Sequence, residues 1–212
     1  MRRAYSLRQS TRRVPLASDW PRFLKRPCDC ETLIRLLFLN HMPTALIHLS
    51  NVLGVFIPSS LGFRFRRSLL RAAGLDIQPG VRFAANTRVY DRFVSVGRDT
   101  WIGMHTIVAS CRQGHVSIGE CVDIGPGCII VSGTHQIGDS RRRAGQGDGA
   151  EISIGRGCWV GAGARVLAGA SIGSGCVIAA GSVVCAGTYP SDSLLAGVPA
   201  QVTKRYGRTA EH

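Results

Sequence analysis

Acidic side chains are scarce in this chain. Its 212 residues hold 13 Asp and Glu against 26 Lys and Arg, a formal charge of +13. An excess of that size implies anionic partners: nucleic acid, an anionic membrane surface or a phosphorylated small molecule. The charge is also uneven, since the first 26 residues carry eight Lys or Arg and one acid. No helix-turn-helix, zinc finger or aromatic-interleaved basic strip accompanies it, so specific nucleic-acid recognition is not expected. The eight cysteines include no CxxC pair and no zinc-ligand spacing, and Cys28 and Cys30 make only a lone CxC. Residues 1–27 lack the apolar core of a secretory signal and are expected to form a disordered basic arm. Strict apolar–polar alternation with hairpin turns is missing beyond residue 76, which argues against a sandwich. Three-four apolar spacing is missing there too, and glycine is too dense for helices.

What the chain has in abundance is glycine, 26 in all, mostly beyond position 96. With 45% apolar residues it can also bury a substantial core. Ile154, Val160, Val166, Ile172, Ile178 and Val184 follow one another at six-residue intervals without a slip. The same rhythm links Val96, Ile102 and Val108, then Ile118, Ile124 and Ile130, with a fainter start at Ile77, Phe83 and Val89. The next position is usually Gly or Ala, and the position four on is small: Cys158, Ala164, Ala170, Cys176, Ser182. Cys128 falls in the same slot, so these cysteines read as small buried thiols in a reducing compartment. A β-branched residue every six positions is the signature of a parallel β-helix, each hexapeptide being a short strand and a turn.

With three hexapeptides to a triangular coil, Val89, Val108, Ile130, Val166 and Val184 share one face. Each break in spacing follows a member of that face. One extra residue lies between Val89 and Val96, four between Val108 and Ile118, and eighteen between Ile130 and Ile154. The chain is also expected to leave the repeat after Val184. All insertions then emerge along one edge, as expected of a site mounted on a rigid scaffold. The longest, within "IIVSGTHQIGDSRRRAGQGDGA", would place Gln136, Arg142 and Asp148 inside if it were a coil. Polar groups cannot fill an apolar interior, so 131–151 is a loop.

From about residue 77 to 205 the chain resembles the hexapeptide-repeat acyltransferases. The likeness is closest to the branch that O-acetylates sugars and exopolysaccharides, with serine acetyltransferase more distant. It rests on "GTHQIGD", on "ISIGRGCWVGAGARVLAGASIGSGCVIAAGSVV" and on the closing "YPSDSLLAGVPAQVTKRY". The resemblance implies a mainly β fold, a left-handed parallel β-helix, with an N-terminal helical segment. It also implies a homotrimer, inter-subunit active sites, acetyl-CoA as acyl donor, no metal and a cytoplasmic enzyme of polysaccharide biosynthesis. His135, at the matching point of "GTH", is then the general base that takes the acceptor's hydroxyl proton, a role histidine suits because it titrates near neutrality. His105 and His115 precede or occupy the same loop edge, and His115, in the four-residue insertion, is the better candidate to orient acceptor or base. Asp91 is placed to bind an acceptor hydroxyl, and Asp139 to do that or to orient His135.

By the same resemblance Trp159 flanks the acyl or acceptor pocket, or else it simply covers the prism surface. Gly161, Ala162, Ala179 and Ala180 match positions along which the pantetheine arm runs. Lys204 and Arg205, just past "GVPA", suit phosphate pairing, although Gln201 stands where many relatives have lysine. Arg141, Arg142 and Arg143 would grip CoA phosphates or an anionic acceptor, or remain a solvated run. Three other functions stay open on this fold: an enzyme with a small amino-acid acceptor, a zinc-dependent γ-type carbonic anhydrase, and a non-catalytic scaffold. His135 has no close partner histidine for the second.

The chain therefore divides into an arm at 1–27, a helical segment at 28–75, the β-helix at 76–188 and an exit loop and tail at 189–212. Residues 36–63 carry no charge, a length able to span a bilayer. Pro43, Pro58, Asn40, Asn51 and two histidines interrupt them, which favours two short helices. "RFRRSLLRAAG" then reads as an amphipathic basic helix ending at Gly74. These helices either cap the open end of the solenoid or rest on the inner membrane face, with Arg64, Arg66, Arg67 and Arg71 near lipid phosphates. His41 and His48 have no assigned chemistry.

Overall fold

The computed structural model describes residues 30–56 and 62–207, so the arm at 1–27 lies outside the described residues. Residues 30–39 begin a helix and belong to a separate unit from 40–212, the unit considered from here on. Among the described residues two helices, α1 (Cys30–Phe56) and α2 (Phe63–Ala72), precede twenty short strands. Within the uncharged stretch, residues 36–56 thus lie in one helix that continues through Pro43, and Pro58 lies outside the described residues. Among the described residues no helix is long and apolar enough to cross a membrane.

The strands wind into a parallel β-solenoid with three faces. The first face stacks β1 (Asp76–Ile77), β4 (Val94–Val96), β7 (Val116–Ile118), β12 (Ile152–Ile154), β15 (Ala170–Ile172) and β18 (Gly187–Tyr189). The second stacks β2 (Arg82–Phe83), β5 (Trp101–Ile102), β8 (Asp123–Ile124), β13 (Trp159–Val160), β16 (Val177–Ile178) and β19 (Ser193–Gly197). The third holds β3 (Arg88–Tyr90), β6 (Ile107–Ala109), β9 (Ile129–Val131), β14 (Arg165–Leu167) and β17 (Val183–Val184). Register pairs each aliphatic residue with its counterpart one coil away, as in Val89↔Val108, Val108↔Ile130, Ile130↔Val166 and Val166↔Val184. These side chains fill the interior, each contributing about 1.5–3 kcal/mol of burial. The small slot serves a second purpose. The thiols of Cys128, Cys158 and Cys176 lie buried and donate to the carbonyls of Gly161, Gly173 and Pro190, each at 3.2 Å.

The coil does not end at Val184. Tyr189 pairs with Ile172 and Leu195 with Ile178, so the solenoid keeps two faces for one more turn. The rhythm breaks there because the step from Val184 to Tyr189 is one residue short. β20 (Ala200–Arg205) then folds back antiparallel on β19 and closes that end. At the other end α2 lies on the first coil, burying Leu70 and Arg66. Arg66 was placed above among the lipid-facing arginines. Instead its guanidinium is internal, donating to the carbonyls of Phe83 (3.4 Å), Ala84 (2.9 Å) and Thr87 (2.7 Å). α1 docks through Asn51, whose amide takes both the N–H (3.0 Å) and the C=O (2.8 Å) of Val89.

Candidate active site

The eighteen-residue insertion is more ordered than a loop. β10 (Gly133–Ile137) pairs antiparallel with β11 (Ala144–Gly149), making a two-stranded ribbon with Gln136, Arg142 and Asp148 all exposed. Its root is fastened to the smaller insertion one coil below. Ala150 N–H donates to Ser132 O at 3.0 Å, and the Ser132 hydroxyl donates to Gly114 O within the Cys111–Gly114 turn. His135 sits on this ribbon opposite Gly147, exposed, with Nδ1 3.1 Å from the carbonyl oxygen of Gly145. A carbonyl oxygen can only accept, so Nδ1 carries the proton and Nε2 keeps its lone pair. The ring is therefore oriented by a backbone group that no sequence motif displays, with Nε2 open to accept a hydrogen bond.

Asp139 does not perform that orienting role. Its carboxylate caps the ribbon's tip, accepting from Arg141 N–H (2.9 Å), Arg142 N–H (3.2 Å) and the Arg141 guanidinium (3.2 Å). Those contacts, the Arg141 amide foremost, hold its pKa below the usual carboxylate range. Arg141, Arg142 and Arg143 all stand exposed at the tip. His115 lies beside the ribbon's root in sequence, but its Nε2 meets Ser95 Oγ at 3.0 Å on the outer side of the first face. His105 lies on another edge altogether, between the second and third faces, in a left-handed turn with φ 59°. The third face separates it from the His135 edge, which it precedes in the chain.

The edge between the third and first faces carries the other insertions. Asp91, exposed and in the left-handed region at φ 67°, occupies the one-residue insertion. A cavity of about 330 Å³ opens there against α1, lined by Thr44, Ile47, His48, Tyr90, Asp91 and Ser110. His48 had no assigned chemistry. The docking of α1 through Asn51 brings it to this edge, which no local pattern could show.

Gly161, Ala162, Ala179 and Ala180 run along the edge between the second and third faces, where successive coils touch backbone to backbone. Gly163 N–H donates to Pro126 O and Gly181 N–H to Ala162 O, each at 2.9 Å. A Cβ on Gly161 would stand 2.5 Å from the amide nitrogen of Ala180, so only glycine permits this spacing. The result is a smooth strip of small residues. Lower on the same edge a cavity of about 260 Å³ is lined by Asn86, Arg88, His105 and Ile107. The chain thus carries His135 on one edge and the small-residue strip on another.

Residues 151–186 match the family model described as "Bacterial transferase hexapeptide (six repeats)". Those residues form a hexapeptide-repeat segment. The solenoid superposes on a hexapeptide-repeat acetyltransferase from Vibrio cholerae with TM-score 0.64 and 26% identity, covering 77% of this chain and 92% of that one. A maltose O-acetyltransferase from Clostridium difficile 630 gives TM-score 0.62 and 26% identity, over 81% and 89% of the two chains. Among curated proteins, Nodulation protein L of Rhizobium leguminosarum bv. viciae is 42% identical over 76 residues, 36% of this chain and 39% of that protein. The chain therefore matches about two fifths of the length of that curated relative.

The remaining candidates are scattered around the prism. Trp159 lies on the outer side of the second face between Asp123 and Val177, 60% exposed, away from the His135 edge. Lys204 and Arg205 are exposed on β20, with the Lys204 ammonium 5.4 Å from the centre of the Tyr206 ring. Among the described residues no three His, Cys, Asp or Glu side chains converge to hold a metal ion.

Proposed function

We propose that this protein is an acyl-CoA-dependent O-acyltransferase, moving acetyl from acetyl-CoA to a hydroxyl of a sugar or polysaccharide intermediate. The observation that carries this reading is the setting of His135, with Nδ1 donating to Gly145 O and Nε2 left as an acceptor. As the acceptor oxygen bonds to the thioester carbonyl, Nε2 takes the hydroxyl proton. When the C–S bond breaks, the imidazolium returns that proton to the departing thiolate. No side-chain nucleophile is needed. The Vibrio cholerae acetyltransferase, which is 25% identical to this chain over 76% of its length, has been solved with acetyl coenzyme A, which supports the donor. The Clostridium difficile relative's name supports a sugar acceptor.

The strip of Gly161, Ala162, Ala179 and Ala180 suits a pantetheine arm, because side chains there are too small to hold it off the backbone. The strip and His135 lie on different edges, so donor and base meet when the base edge of one copy faces the strip of the next. That geometry favours a cyclic assembly, and a homotrimer is the assembly we propose. Asp91 and His48, in the cavity beside the base edge, are suited to hydrogen-bond acceptor hydroxyls.

Acetyl-CoA binding and slow hydrolysis by wild type and His135→Ala test the reading. Turnover is expected to fall by about 10²–10⁴-fold with donor affinity unchanged. A folded protein that binds no acetyl-CoA, or a His135→Ala variant that keeps full turnover, would refute it.

A further inference from the structure

The helices carry a surface that the acyltransferase reading leaves unused. One side of α1 packs on the solenoid, burying Ile47, Ser50 and Gly54. The opposite side presents Met42, Ala45, Leu49, Val52 and Phe56, one apolar stripe at three-four spacing. Its large members are 44–78% exposed, Phe56 the most. Val55 and, on α2, Phe65 add further exposed apolar surface. A helix apolar on both sides is stable in a soluble protein only when its second side also finds a partner.

Charge indicates which partner. Residues 1–75 hold 13 Lys and Arg against 3 acids, while 76–212 hold 13 against 10. Most of the chain's net charge therefore lies with the helices and the segment before them. With Arg66 buried, Arg64 and Arg71 are exposed on α2 and Arg67 half-exposed. A second copy of this chain docking by the same surface would bring like charge against like, and no acidic residue occurs between positions 32 and 75 to offset it. An acyl-chain boundary beneath anionic headgroups satisfies both features: it accepts the stripe and attracts the arginines.

We propose that the exposed side of α1, with Arg64, Arg67 and Arg71 of α2, is a docking surface for an anionic lipid bilayer. The protein lies on the membrane and does not span it. Such a placement brings the acceptor edge beside α1 close to lipid-linked molecules, but the proposal stands on the surface alone and does not require the transferase reading.

Flotation of the full-length protein with vesicles tests it, using pure phosphatidylcholine or phosphatidylcholine with about 30% phosphatidylglycerol. Wild type is expected to float with the anionic vesicles and to be released by high salt. A Leu49→Ser/Val52→Ser/Phe56→Ser variant should bind at least tenfold more weakly. Arg64→Gln, Arg67→Gln and Arg71→Gln should each cost roughly fivefold. Circular dichroism melts verify folding, because these side chains are exposed and their loss should leave the melt in place. Failure of wild type to float, or undiminished flotation of the stripe variant, overturns the proposal. A stripe variant that loses subunits by light scattering while still floating would assign the surface to self-association instead.

Discussion

Replacing Arg66 tests how the open end of the solenoid is sealed. Arg66 is 2% exposed, pairs with no carboxylate among the described residues, and its guanidinium donates to three carbonyls of the first coil's turn, two of them at 2.9 Å or less. Each of those two charge-assisted bonds is worth about 1.5–3 kcal/mol. Burial opposes them, pulling the arginine's pKa well below its ordinary value, to about 10. At about 1.4 kcal/mol per pH unit that desolvation costs about 3 kcal/mol. Arg66→Met would recover the desolvation but lose the guanidinium's place over the Phe83 ring, 5.7 Å from its centre. It would also strand the carbonyls of Ala84 and Thr87, at about 1–3 kcal/mol each. The balance is a loss of about 2–9 kcal/mol, or roughly 4–36 °C in Tm for a chain of this size. Arg66→Lys should fare no better, since one ammonium cannot match a planar fork spread over several carbonyls. Thermal melts of both variants measure this. A Met variant as stable as wild type would show that packing alone seals the end, and that the buried charge contributes nothing.

Two further outcomes follow from the coil geometry. Gly161→Ala should destabilise by about 1–3 kcal/mol and weaken acetyl-CoA binding, because the methyl group must push against the backbone of Ala180 rather than a movable side chain; melts and calorimetric titration measure both. Native-state alkylation followed by peptide mass mapping should label exposed Cys121 and spare Cys128, Cys158 and Cys176. Burial raises all three thiols, Cys158 to about 11, so the neutral unreactive form persists through pH 9.

Much of the solenoid was legible because its rule is local and repeated. A β-branched residue every six positions fixes which side chains turn inward, and counting sixes gave the third face residue by residue. The count failed where the spacing changed. The step from Val184 to Tyr189, one residue short, hid the last turn. Pro43 was read as a break, yet α1 continues through it because the tertiary contacts of its buried side outweigh one missing hydrogen bond.

By itself, then, the sequence determined the repeat, the faces, the edge bearing the insertions and the histidine to examine. These all follow from periodicity and from residue chemistry within a few positions. Folding in three dimensions decided that the insertion is a ribbon, that a backbone carbonyl at Gly145 sets the tautomer of His135, and that Arg66 plugs the end instead of facing outward. It also decided that His48 joins Asp91 at one cavity. Each of these depends on contacts between segments ten to forty-three residues apart, whose orientation no local pattern encodes.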